Sequence, residues 1–231
     1  MYFEYGDKEI ELLKKKDKKL GEAIDRIGHI YRTVDTNLFS SVIHHIIGQQ
    51  ISTRAQETVW RRLCDSIGKV SAEGIYSIEL NELQSFGMTF KKAGYIKDFA
   101  EMVRNGEFDM DQISGLSDEE VVRELASIKG IGVWTAEMIM IFCMQRQDVV
   151  SFGDLAIIRG MRMLYRHEYI DKKRFERYKK RYSPYGTVAS LYLWAIAGGA
   201  IHEDSECTTK KKKTGRARND TGRNVECRFE K

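Results

Sequence analysis

The chain has 231 residues, a formal net charge of +4 and a sequence pI of about 8.7, which permits a polyanionic partner without requiring one. This length supports one sizeable domain or two smaller lobes, and an apolar fraction of 42% is enough for packed cores. The absence of a long apolar run excludes a membrane-spanning segment, and the charged N-terminal segment excludes a secretory signal peptide. The four scattered cysteines predict reduced thiols of a cytoplasmic protein, without a zinc site or an iron–sulfur cluster: Cys64, Cys143, Cys207 and Cys227.

Apolar residues at helical spacing dominate the N-terminal half of the chain. One amphipathic segment covers residues 8–31, and Asn37 is a suitable N-cap for the apolar stretch LFSSVIHHIIGQQIS that follows. Thr53 is a suitable N-cap for the next helix, which Gly68 ends. With a single proline, Pro184, and little strict alternation of polar and apolar residues, the sequence predicts an all-α fold.

A capping box, a glycine turn and a basic tail mark the C-terminal half. Ser117 and Glu120 form the capping box of a helix that runs into the turn Lys129-Gly130-Ile131-Gly132. Further helices are predicted over about 133–145, from Asp154, over KKRFERYKKRY and over TVASLYLWAIAGGA. Residues 205–231 are basic and poor in aliphatic side chains, which predicts a flexible tail.

The glycine turn and the aspartate that follows it each allow two interpretations. Gly130 and Gly132 allow positive φ and close approach, and the next helix begins with free amide groups, so the turn can bind a phosphate. Alternatively, the glycines only allow two helices to pack closely. Asp154 is either a simple N-cap or a carboxylate held in a fixed orientation towards a developing cation.

Five motifs occur in order within residues 36–200: IIGQQIS, GMTFKKAGYIKDFA, LASIKGIGVWTAEMI, SFGDLAIIRG and YSPYGTVASLYLW. Together they resemble the helix-hairpin-helix DNA glycosylase superfamily, and within it the 3-methyladenine DNA glycosylase II branch, which removes alkylated bases. The resemblance implies two helical lobes with an active-site cleft between them. One lobe is expected over residues 36–146, with the hairpin at about 117–145, and the other over 1–35 plus 147–204.

The resemblance also implies roles for individual residues. Asp154 takes the position of the catalytic aspartate, and Gln50 takes the position of the wedge that replaces the flipped base. The substrate pocket is expected to contain Trp194, Met138 and Tyr192, and for Tyr192 a place in the core is the alternative. Contacts with DNA are expected from the GQQIS motif and the hairpin: Gln49, Gln50, Ser52, Lys129, Gly130, Ile131, Gly132, Trp134 and Thr135.

No cofactor is expected to be required, although a structural Na⁺ or K⁺ is implied at the hairpin. Its ligands would be the backbone carbonyls of Ala126, Ile128 and Ile131. Relatives often have proline before the first glycine of the hairpin, where this chain has Lys129, which adds a positive charge near the phosphate.

These assignments predict a monofunctional DNA glycosylase of base excision repair. It would hydrolyse the N-glycosidic bond of alkylated purines such as 3-methyladenine, after base flipping from double-stranded DNA. Bifunctional relatives carry a lysine where this chain has Trp134, so no AP-lyase activity is expected. The expected enzyme is a monomer in the cytoplasm, at the nucleoid of a bacterium or in the nucleus of a eukaryote.

Three alternatives stay open at this point. The first is a glycosylase for another damaged base, an oxidised or deaminated purine, because pocket shape decides that choice. The second is a non-catalytic helix-hairpin-helix DNA-binding protein that has kept only the hairpin. The third, an α-helical RNA-binding protein, would require a preference for RNA over duplex DNA.

Overall fold

The computed structural model describes residues 1–201, and the predicted basic tail, with Cys207 and Cys227, lies outside them. The all-α prediction is confirmed: the described residues form twelve α-helices, one 3₁₀ helix (Gln112–Gly115) and an isolated antiparallel bridge between Tyr2 and Thr33. The α-helices are α1 (Asp7–Lys16), α2 (Lys18–Ile27), α3 (Leu38–Gly48), α4 (Thr53–Ile67), α5 (Ala72–Ser77), α6 (Leu80–Ser85), α7 (Phe90–Arg104), α8 (Asp118–Ser127), α9 (Val133–Phe142), α10 (Leu155–Tyr165), α11 (Lys172–Tyr182) and α12 (Gly186–Ala197). Over residues 1–201, every helix is too short or too polar to cross a membrane.

Polar side chains cap the helices at most of the predicted positions. Asn37 caps α3, and Ser117 begins the predicted capping box of α8. The predicted cap of α4 was wrong by one residue. Ser52 has the extended backbone of an N-cap and its Oγ accepts the amide of Ala55 at 3.3 Å, whereas Thr53 is already helical.

The segment 8–31, predicted as one periodic unit, is broken into α1 and α2 at Asp17. The carboxylate of Asp17 is 3% exposed and accepts the Leu20 amide at 3.0 Å, which caps α2. It also accepts the Tyr165 hydroxyl and the Arg181 guanidinium, both at 2.8 Å. These three donors compensate the buried charge of Asp17. The break between α1 and α2 is therefore stabilised by Tyr165 and Arg181 of later helices, which the periodicity of residues 8–31 could not indicate.

The buried apolar side chains form two clusters within one compact unit, Met1–Ile201. The first cluster draws on residues 39–149, and the second draws on residues 3–24 and 150–193. Trp194 is half-buried and packs against both. The residue ranges of the clusters resemble those of the two expected lobes, and the division into lobes stays a prediction.

Close contact between α10 and α12 positions the site described below. A Cβ added at Gly160 of α10 would lie 2.2 Å from the carbonyl oxygen of Leu193 on α12, so the two backbones can approach only at a glycine. As a result, the N-terminus of α10, with Asp154, lies beside Trp194 on α12.

Candidate active site

Asp154 is the N-cap of α10 and its carboxylate receives four N–H groups. Oδ1 accepts the amides of Ala156 and Ile157, both at 2.9 Å, and Nε1–H of Trp194 at 3.2 Å. Oδ2 accepts Nε1–H of Trp134 at 3.0 Å. The side chain is 7% exposed, so it has little freedom to reorient. Asp154 is thus an N-cap, and it is at the same time a carboxylate held in one orientation.

A cavity of about 940 Å³ opens beside this carboxylate. Its volume lies within the range of small-ligand sites. Besides Asp154, the wall contains six of the twelve predicted pocket and DNA-binding residues: Trp194, Met138, Trp134, Thr135, Gln49 and Gln50. It also contains residues of the extended segment 30–35, which no motif indicated.

Tyr192, expected in the pocket, lies elsewhere. It is fully buried in the second apolar cluster, and its hydroxyl donates to the carbonyl oxygen of Gly28 at 3.0 Å. Residues two apart on a helix project about 200° apart, so Tyr192 faces away from the cavity that Trp194 lines. Tyr192 is therefore a core residue and the expectation is corrected.

Sequence reasoning missed an aromatic stack in the cavity wall. The ring of Phe142 stacks on that of Trp194 with centroids 5.5 Å apart, and the Arg32 guanidinium lies 4.6 Å from the Phe142 centroid. Phe142 lies four residues after Met138, so helical periodicity along α9 could have found it. Arg32 carries no comparable signal, because its segment joins the wall through a long-range bond from the Asp35 amide to the Phe142 carbonyl, at 2.9 Å.

The hairpin between α8 and α9 has two glycines with different requirements. Gly130 has a φ of +88°, and a Cβ there would lie 2.4 Å from the ring of Tyr95. Gly132 is the extended N-cap of α9, and a Cβ there would meet nothing within 4 Å. No side chain caps α9 at Gly132 within the described residues, so the first amides of this helix lack a capping side chain at its positive end.

Two glutamines precede α4, and they differ in their contacts. Gln49 Nε2 donates to the carbonyl oxygen of Gly130 at 2.6 Å, which ties the end of α3 to the hairpin. Lys92 Nζ donates to the carbonyl oxygens of Ile47 and Gln49, and burial lowers the pKa of this lysine. Gln50 is exposed at the cavity with a φ of +56°, a conformation that L-residues adopt at a cost.

The other predicted DNA-binding side chains are partly engaged within the protein. Lys129 Nζ forms an exposed ion pair with Asp98 at 2.8 Å. Ile131 is buried in the first apolar cluster, so only its backbone is left for a ligand, whereas Thr135 is buried but forms part of the cavity wall. Trp134 is 47% exposed although its Nε1–H is bonded to Asp154.

The ligands proposed for a monovalent cation are backbone carbonyl oxygens, which are suitable ligands for Na⁺ or K⁺. Ala126 lies in the last turn of α8, where carbonyls lack helical partners and carry partial negative charge. The carbonyl oxygen of Ile128 accepts the Ile131 amide at 3.0 Å and retains a second lone pair. The cation itself stays a prediction. Elsewhere in residues 1–201, no group of three or more histidine, cysteine or acidic side chains could hold a metal ion.

Comparisons with known proteins agree with this geometry. Residues 43–184 match the HhH-GPD superfamily of base excision DNA repair proteins. The chain is 30% identical over 161 residues to DNA-3-methyladenine glycosylase 1 of Schizosaccharomyces pombe, which covers 68% of this chain and 71% of that relative.

Solved structures resemble the fold closely. DNA-3-methyladenine glycosidase from Bacillus halodurans superposes with a TM-score of 0.78 at 34% identity, covering 86% of this chain and 93% of that one. The Schizosaccharomyces pombe 3-methyladenine DNA glycosylase in complex with abasic DNA gives a TM-score of 0.71 at 27% identity, covering 82% and 96%. The predicted resemblance is confirmed, and the chain belongs to the HhH-GPD superfamily of base excision DNA repair proteins.

Proposed function

We propose that this protein is a monofunctional DNA glycosylase of base excision repair that hydrolyses the N-glycosidic bond of alkylated purines such as 3-methyladenine. The observation that carries the proposal is the Asp154 carboxylate, fixed by four N–H donors at the wall of a cavity with aromatic sides. The relatives named as 3-methyladenine glycosylases support the choice of an alkylated purine.

The chemistry follows from the charge that develops when the base leaves. Loss of the base creates an oxocarbenium-like centre on the sugar, which a fixed carboxylate such as Asp154 stabilises electrostatically. Among the described contacts Oδ2 receives only the Trp134 indole, so it retains a lone pair that can orient the attacking water. An N-alkylated purine is already cationic, so it leaves readily and binds well against an electron-rich ring such as that of Trp194.

Duplex DNA is the proposed partner, with the hairpin as its anchor. The uncapped amides at the start of α9 are suited to a phosphate, and such contacts fix the position of the enzyme without reading sequence. Gln50 is proposed as the wedge, since it is exposed at the cavity. The cavity is the proposed active-site cleft. The enzyme is expected to act as a monomer, at the nucleoid of a bacterium or in the nucleus of a eukaryote.

The hairpin side chains support base removal without strand cleavage. Lyase chemistry requires an amine that forms a Schiff base with the sugar. At the hairpin position nearest to Asp154 this chain has the indole of Trp134. Lys129 precedes the glycines and is paired with Asp98.

The proposal is tested by incubating the purified protein with methylated duplex DNA and measuring free bases. Release of 3-methyladenine or 7-methylguanine is expected, with strand breaks only after alkali is added. Parallel duplexes containing 8-oxoguanine or hypoxanthine test the other-lesion alternative, and release from these alone would replace the proposed substrate. No release from any duplex, together with tight binding to an abasic-site mimic, would instead indicate a non-catalytic DNA-binding protein.

Replacing Trp194 by phenylalanine is expected to lower the rate of base release roughly tenfold. The variant keeps an aromatic wall but removes the N–H that donates to Asp154 Oδ1, so the carboxylate is held less firmly. Single-turnover kinetics on methylated DNA measure the effect. Tyr192→Phe is the matched control on the same helix. It removes a hydroxyl outside the cavity, so its rate should equal that of the wild type, and a comparable loss would contradict the placement of Tyr192.

A further inference from the structure

Two consecutive histidines of α3, His44 and His45, line the cavity together with Asp154 and Trp194. Both side chains are half-buried, and their ring centroids lie 6.3 Å apart at nearly perpendicular planes. Neither belongs to the four-donor arrangement at Asp154, and no metal-binding group includes them within the described residues. Their role depends on which ring nitrogen carries the proton in each.

The contacts of His45 determine its tautomer. Its Nδ1 lies 2.8 Å from the carbonyl oxygen of Ser41, one turn earlier in α3. A carbonyl oxygen only accepts hydrogen bonds, so Nδ1 must carry the proton and donate it. In the neutral ring Nε2 is then a hydrogen-bond acceptor, and no contact of the described residues occupies it.

His44 has the opposite tautomer because of Gln56. The Gln56 amide nitrogen donates to the carbonyl oxygen of His44 at 2.8 Å, which shows that its NH₂ group faces α3. The same nitrogen lies 3.2 Å from His44 Nδ1, so Nδ1 accepts the second hydrogen and the ring proton resides on Nε2. Gly48 makes this possible, since a Cβ there would lie 2.4 Å from the Gln56 amide.

We propose that His44 and His45 form a paired donor and acceptor on the cavity wall, with His44 Nε2–H donating to and His45 Nε2 accepting from the edge of the flipped purine. The inference rests on the proposed glycosylase function and names the residues that would hold its base. Adenine presents a donor at N6 beside an acceptor at N1, and guanine presents an acceptor at O6 beside a donor at N1. In the neutral pair, the His44 donor can bind adenine N1 or guanine O6. The His45 acceptor can bind the adenine N6 amino group or guanine N1–H.

The pair is suited to a cationic base only while both rings are neutral. Burial lowers the pKa of both histidines, and His45 lowers the pKa of His44 further. Asp35 opposes both shifts and Glu57 opposes that of His44, while Arg32 and Asp154 are the other charged groups of the cavity wall. The pKa of each ring therefore lies below the ordinary histidine value of about 6.5. It removes the acceptor of His45 and adds a positive charge beside the base.

The test compares two duplexes that differ only in the presence of the base. One contains 2′-fluoro-2′-deoxy-7-methylguanosine, whose electron-withdrawing fluorine prevents base loss, and the other contains a tetrahydrofuran abasic-site mimic. The Kd of the abasic-mimic duplex divided by the Kd of the lesion duplex measures how much the cavity contributes to binding the base. This ratio can be measured without catalysis. His45→Leu removes the acceptor, His45→Gln restores a polar atom near the position of Nε2, and melting temperatures confirm that each variant folds.

The ratio is expected to fall roughly three- to tenfold in His45→Leu, because one hydrogen bond to the base is lost. His45→Gln should recover part of it, and binding to the abasic mimic should stay unchanged in both. His167→Gln is the matched control, since burial also lowers the pKa of His167 but its Nε2 is bonded to the Tyr178 hydroxyl outside the cavity. A His45→Leu ratio equal to that of the wild type would overturn the inference.

The pH dependence separates recognition from a merely structural role. As the pH is lowered below about 6.5, the wild-type ratio should fall while the histidines gain protons, and it should fall less in His45→Leu. A pH dependence that is identical in both would also overturn the inference. Because binding and base release are measured apart, a wild type that prefers the lesion duplex through His45 yet releases no base would refute the proposed chemistry alone.

Discussion

Asp154→Asn is expected to lower the rate of base release by about a hundredfold or more, while the Kd for duplex DNA with an abasic-site mimic changes by less than about threefold. Asparagine removes the negative charge that would stabilise the oxocarbenium-like centre. It can still cap α10, because its Oδ1 can accept the Ala156 and Ile157 amides that bond the aspartate now. Fold and DNA contacts should therefore survive the loss of chemistry.

A second N-cap aspartate provides the control. Asp171 caps α11 in the same way, with Oδ1 accepting the Arg174 amide at 2.6 Å, but it is exposed and does not line the cavity. Asp171→Asn should release base at the wild-type rate. Equal rates for Asp154→Asn and the wild type in single-turnover assays would remove Asp154 from the mechanism, whatever the binding data show.

The two hairpin glycines are expected to respond differently to alanine. Gly130→Ala should reduce the free energy of unfolding by about 2–4 kcal/mol, since an L-residue at a φ of +88° costs about 1–2 kcal/mol and overlap with the Tyr95 ring adds about 1–3 kcal/mol. Denaturant titration followed by circular dichroism measures the change. An unaltered stability would mean that the turn does not have the backbone described above.

Gly132→Ala should leave the free energy of unfolding within about 1 kcal/mol of the wild type, because its φ of −94° is open to any residue and no atom lies within 4 Å of the new Cβ. Its effect should be on DNA. The added methyl group stands beside the uncapped amides of α9, so the Kd for abasic-mimic duplex is expected to rise roughly tenfold.

This pair of variants decides between the two interpretations of the glycine turn. If the turn binds phosphate, Gly132→Ala loses affinity without losing stability. If the glycines only serve helix packing, Gly132→Ala should bind DNA as the wild type does, and only Gly130→Ala should show a defect. Both Kd values are measured at one salt concentration, since phosphate contacts are strongly salt-dependent.

Local sequence by itself determined most of the helices, most of their caps and the family. Asn37, Gly68 and Ser117 act where the pattern predicted, because capping and left-handed C-terminal residues depend only on the chain within one turn. The positive φ of Gly130 and the N-cap position of Asp154 were predictable for the same reason.

Only the tertiary structure decided which side chains form the cavity. Trp194 and Asp154 are 40 residues apart in the chain, and Gln49 and Gly130 are 81 apart. Helical periodicity does not indicate whether residues so far apart form a hydrogen bond. The same limit explains the misplaced Tyr192. Both Tyr192 and Trp194 lie on an apolar helix with partners on several sides, and a helix that is hydrophobic all round does not indicate which face meets the cavity.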